Sequence, residues 1–134
     1  MRAALLAAAM LAIPSMGGAE APAVLDEFAS TKVIRVLTLD EDGDARDTKI
    51  WVAVVDGQAY IRTSDTRWFK NLERGSSLSL VMNDRTYSAA TARIEDAARI
   101  EAVHAEFRKK YGFQDRMVGL FGGGDYVLRL DRSP

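Results

Sequence analysis

Residues 62–70 gather groups that can hold an anion. Arg62 is followed by the hydroxyls of Thr63 and Ser64, and then by Arg67 and Lys70. Guanidinium, ammonium and hydroxyl groups are the donors that bind phosphate, and a helix starting near Thr66 would aim its free first-turn N–H groups at the same place. Asp65 opposes this, because its carboxylate would compete for those N–H groups and repel an anion. Arg67, Lys70 and Arg74 also fall at helical spacing, which is equally the pattern of a solvated helix face. Other reactive groups are few: the chain has no cysteine and a single histidine, His104. Thiol nucleophiles, disulfides, thiolate zinc sites and any site needing two imidazoles are thereby excluded. If the protein is an enzyme, a bound cofactor carries the chemistry.

His104 sits at the border of an apolar stripe and no sequence signal supplies it with a partner, so it reads as a boundary residue. The acidic run Asp40-Glu41-Asp42-Gly43-Asp44 is not a calcium loop. An EF-hand loop starting at Asp40 needs Gly at its sixth position and Glu at its twelfth, where Ala45 and Trp51 stand. No metal site is expected. With 18 basic and 19 acidic residues the charges nearly cancel, so no cationic field exists to collect nucleic acid or anionic lipid.

The elements that would carry these groups start after a leader. Met1-Arg2, the apolar run from Ala3 to Ile13 and the small-residue stretch Gly17-Gly18-Ala19-Glu20-Ala21 have the order of a signal peptide. The apolar run is too short to span a bilayer. Cleavage after Ala19 or after Ala21 is expected, with a periplasmic or secreted mature protein and no membrane anchor. Three segments result: a signal peptide over 1–21, a helical lead-in over 22–32 and one domain over 33–131. The single arginine of the leader points to export before folding, so a cofactor would be acquired outside the cell, or the exported form would bind none.

Ala23 to Ser30 has Val24, Leu25 and Phe28 at helical spacing. Strands are expected over Val33–Leu39, Ile50–Val55, Gln58–Thr63, Leu78–Met82, Thr86–Glu95 and Asp125–Asp131. Asp56-Gly57 is a strong hairpin signal, and Asn83-Asp84 marks a second turn. One short helix should run from Thr66 to Arg74, capped by Asp65 or Ser64 and stopped by Gly75. Another should run from Ala97 to Tyr111 behind the cap Asp96, with Ile100, Val103, Phe107 and Tyr111 on its buried face. Gly122-Gly123-Gly124 precedes a strand rather than a helix, so it reads as a loop and not as a dinucleotide fingerprint. Six antiparallel strands with two inserted helices make a mainly β chain, either a small barrel or a simple open sheet.

The run from Lys49 to Leu72, KIWVAVVDGQAYIRTSDTRWFKNL, resembles the pyridoxamine-phosphate-oxidase-like split-barrel families. The shared wording is an aromatic-bearing strand, a tight Asp-Gly turn, a strand ending Tyr-x-x-Thr and a short helix with Lys-Asn-Leu. Leu25 to Thr38 is similar to the start of a small branch of that group whose function is unassigned. The resemblance implies a six-stranded antiparallel split β-barrel of the FMN-binding kind, usually a homodimer with cofactor sites at the subunit interface. It also implies that Arg62, Thr63, Ser64, Arg67 and Lys70 hold a flavin phosphate, with Lys49, Trp51 and Asn71 near the ring or the ribityl chain. By residue type alone, Trp51 fits a core position as well as a cofactor stack.

The function expected on this basis is FMN binding and oxidoreduction of a small molecule, with a deazaflavin or haem as variants of the cofactor. The alternative is a non-enzymatic periplasmic module, binding a small ligand or serving as a dimeric interaction domain, that has lost the cofactor.

Overall fold

The computed structural model describes residues 22–115 and 124–132; the expected leader, and Gly122 and Gly123 of the expected loop, lie outside the described residues. A helix, α1 (Pro22–Ser30), leads into β1 (Ile34–Leu39), β2 (Ala45–Ile50), β3 (Val52–Val55) and β4 (Gln58–Thr63). Then come α2 (Arg67–Glu73), β5 (Leu78–Met82), β6 (Arg85–Arg93), α3 (Ala97–Tyr111) and β7 (Tyr126–Arg132). All strand pairs are antiparallel, and they form one seven-stranded sheet in the order β2-β1-β5-β6-β7-β4-β3.

The two outermost strands of that sheet, β2 and β3, are consecutive in the chain and are separated only by Trp51. Neighbouring Cα atoms lie about 3.8 Å apart, so the two edges of the sheet must meet at Trp51. An open flat sheet is therefore impossible. The sheet curls into a split barrel, as the resemblance implies, and its joint lies at that one residue.

Alternation along the strands sorts the core into two layers. Ile34, Val36, Val52, Ile61, Leu80, Met82, Leu128 and Leu130 fill the barrel together with Phe28 of α1 and with Trp68 and Phe69 of α2. Ala53, Tyr60 and Val127, on the opposite parity, pack outside the barrel under Val103, Phe107 and Tyr111 of α3. This two-sided cover explains why the sequence around β3 is apolar at every position. Lys110 ties the lead-in helix to this frame, donating to the carbonyls of Phe28 (3.0 Å), Thr31 (2.7 Å) and Val52 (2.6 Å).

Among the described residues the strands number seven rather than the expected six. The additional one is β2, and the expected strand Ile50–Val55 is divided at Trp51. β2 is mostly polar because it is an edge strand with one face in solvent, so it carries no apolar signature. Pairing with β1 across Arg35 and Asp47, and between Arg46 and Asp40 in the turn, stabilises it instead. α2 also differs from expectation at its cap. Thr66, not Asp65 or Ser64, occupies the position, and its hydroxyl lies 2.8 Å from that of Thr63 rather than capping the helix. The cap of α3 is the expected Asp96, whose carboxylate accepts from Arg99 N at 2.9 Å.

Candidate functional site

A cleft of about 290 Å³ opens at the joint of the barrel. Its walls come from Thr48, Lys49 and Ile50 at the end of β2, from Trp51 itself, and from Arg62 and Thr63 at the end of β4. Ser64, Thr66 and Trp68 line it from the start of α2, Phe107 from α3 and Gly124 from the approach to β7. The closure of the sheet thus brings two distant strand ends together with the face of α3.

Trp51 is half-buried, and its ring stacks on Tyr111 with centroids 4.1 Å apart and planes 5° from parallel. Tyr111 is itself fixed: its hydroxyl accepts from Val52 N (3.2 Å) and donates to Lys32 O (2.7 Å). Both readings of Trp51 therefore describe part of its surroundings, since it packs on Tyr111 and also lines the cleft.

Arg62 is held on three sides. One Nη2 hydrogen goes to the Asp115 carboxylate, Nη1 lies 3.1 Å from His104 Nδ1, and the guanidinium carbon sits 3.9 Å from the centre of the Phe107 ring. The side chains of Arg62 and Asp115 are only 9% and 8% exposed, so this is a desolvated ion pair that needs both members. Because Arg62 donates to Nδ1, His104 is the neutral tautomer with its proton on Nε2. Burial, followed by the neighbouring Arg62 charge, lowers the His104 pKa below the usual imidazole value. The sequence reading of His104 as a residue without a partner is corrected here: α3 covers the outer face of the sheet, and Arg62 reaches across that face from β4 to His104.

The residues expected around a flavin are divided by the structure. Lys49, Trp51, Arg62, Thr63 and Ser64 line the cleft. Arg67, Lys70 and Asn71 instead line a second cavity of about 380 Å³, together with Arg74 and the acidic turn residues Asp40, Glu41 and Asp42. Asn71 is 1% exposed, and its Nδ2 donates to Thr38 Oγ1 (3.0 Å) and Asp40 Oδ1 (2.8 Å), so it fastens α2 to the end of β1. Arg46, with Asn71 beside it, holds the Asp40 carboxyl down at about 2. Asp65 is exposed and lies 3.8 Å from Lys70, so a cation beside it partly offsets its charge. Reasoning from sequence missed Asp115, Thr48 and Phe107 as parts of the site. Only the apolar stripe of α3 could have marked Phe107; for the other two the sequence carries no signal.

Residues 24–122 match the model of a family described as "Uncharacterized protein conserved in bacteria (DUF2255)". The chain belongs to this bacterial family. No curated protein matches it. Among solved structures, the DUF2255 chain is similar to HutZ, the heme storage protein from Vibrio cholerae, at 17% identity and a TM-score of 0.63, covering 84% of this chain and 89% of that one. It is also similar to an F420-H2 dependent reductase, FDR-A, at 13% identity and a TM-score of 0.57, over 74% of this chain and 93% of that one. A third similarity is to a protein of the pyridoxinephosphate oxidase family from Clostridium acetobutylicum, at 18% identity and a TM-score of 0.55, over 82% and 80% of the two chains. At these identities the likeness establishes the fold alone: this DUF2255 protein is a split barrel, as those structures are.

Proposed function

We propose that the cleft at the barrel joint binds a planar, phosphate-bearing cofactor of the flavin type, with FMN the first candidate, and that the protein is an oxidoreductase acting on a small molecule. The observation that carries this is the convergence of aromatic surfaces (Trp51, Trp68, Phe107) with hydroxyl and cationic donors (Thr63, Ser64, Lys49) in one cleft. Flat apolar rings need the first set and phosphate needs the second. When bound, a flavin supplies hydride or single-electron transfer. The chain's own residues would position the ring, exclude water from its face and hold the phosphate. A cavity of about 290 Å³ sits at the lower limit of small-ligand pockets, which run from about 300 to 1,000 Å³. A second copy of the chain, as in the homodimer that the resemblance implies, would complete the enclosure.

Of the cofactor variants, a deazaflavin would use the same surfaces. Haem fits less well: the chain's single imidazole, His104, already has Nδ1 beside Arg62 and is half-buried. The leader-like residues 1–21 support export to the periplasm or beyond. The competing reading, a cofactor-free binding or interaction module, draws on the neutralisation of Arg62 by Asp115, which removes one cation from any phosphate site. Absorption and fluorescence titrations of the purified protein with FMN, a deazaflavin and haem separate these readings. Saturable binding of FMN or the deazaflavin is expected, and a folded protein that binds none of the three favours the cofactor-free module.

A further inference from the structure

Arg62 carries a charge that an anion site would use, yet the fold already engages it. Its ion pair with Asp115 is almost fully desolvated, and at close range the two charges cancel as seen from the cleft. The fork is further committed to His104, and its carbon sits over the Phe107 ring. Nε–H has no acceptor among the described residues, and a side chain at Gly124 would begin 3.6 Å from it, so the glycine leaves that donor uncovered and Arg62 retains a hydrogen-bond donor but little net charge.

Lys49 is the opposite case. It lies on edge strand β2, is exposed, and makes no ion pair among the described residues. Arg35, its register partner on β1, is paired with Asp47. The unneutralised cation on the cleft wall is therefore Lys49.

We infer that the cleft sorts its ligand into two parts: Lys49 holds the anionic group at the exposed lip, while Arg62, locked by Asp115 and His104, positions a neutral acceptor atom at the buried end. This rests on reading the cleft as a flavin site, and it assigns the phosphate to Lys49 instead of Arg62. Asp115 and His104 become positioning residues, acting through the orientation of the Arg62 guanidinium.

The test compares FMN with riboflavin, which lacks the phosphate, by fluorescence titration of the full chain. The wild type should bind FMN more tightly. Lys49→Ala should weaken FMN about tenfold, the scale of one lost charge-assisted contact, and leave riboflavin within about twofold. Lys49→Arg should restore the preference. The double variant Arg62→Met with Asp115→Leu removes both buried charges while filling their space, and it should keep the ratio of FMN to riboflavin affinity even if both affinities fall. An unchanged ratio in Lys49→Ala overturns the inference, and so does a ratio abolished in the double variant. The exposed lysine threatens no fold, so that arm decides alone if the double variant does not fold. If the wild type binds neither flavin, the flavin reading itself fails and the sorting falls with it.

Discussion

At Arg62, a residue legible in the sequence turned out to have a different immediate partner from the one its type suggests. A guanidinium next to two hydroxyls reads as a phosphate ligand, but Asp115 lies 53 positions along the chain, and nothing local announces that it folds back. Burying this pair makes each member dependent on the other. Arg62→Ala or Asp115→Asn alone should cost about 3–5 kcal/mol by leaving a buried charge uncompensated, whereas Arg62→Met with Asp115→Leu should lie near the wild type. Urea denaturation of the three variants measures this. His104 adds a pH dependence of known sign. Its folded pKa lies below the ordinary 6.5, so as pH falls the unfolded chain takes up the proton first. The stability contribution is complete above about 6.5 and is lost as pH drops through the folded value. Melting temperatures between pH 7.5 and 5.5 should fall more steeply in the wild type than in His104→Gln, and parallel curves would refute the assignment.

Among the elements, those with a strong apolar period were readable and the polar one was not. α3 and β5 appear with the boundaries their sequences imply, because a buried stripe and a regular alternation each admit one assignment. β2 escaped because an edge strand needs no apolar face, and its six residues instead continue the polar tone of the turn before them. The hairpin turns were legible for a stereochemical reason. Asp56 and Gly57 have φ of 50° and 74°, and Asn83 and Asp84 have 50° and 70°, as two-residue hairpin turns require. A Cβ on Gly57 would meet nothing within 4 Å, so Gly57→Ala should cost only the left-handed backbone term, about 1 kcal/mol. Asp84→Gly, which relieves the same term in the second hairpin, should be stabilising by a few tenths to about 1 kcal/mol. Chemical denaturation that gives the opposite signs would refute this account of the turns.

For the whole molecule, the closure at Trp51 connects sequence to site. One residue between the two outermost strands forces the sheet to curl, and the same joint places Lys49 and Trp51 opposite Arg62, Thr63 and Ser64. The sequence shows these groups only as two separate runs; their meeting depends on strand order, which no local pattern encodes. Arg67 and Lys70 read as one anion cluster with Arg62 because they follow it closely, and the resemblance puts Asn71 near the ring, but the turn into α2 carries all three to the other cavity. Sequence proximity thus does not decide which groups share a cavity; strand order does. The central claim is that the cleft at this joint takes a flavin. It is tested most directly by titrating FMN fluorescence with the wild type and with Trp51→Leu in parallel. Saturable quenching at one flavin per chain, weakened at least tenfold in the variant, is the predicted result. Unquenched FMN in the presence of folded wild-type protein, or equal binding by both proteins, would contradict it.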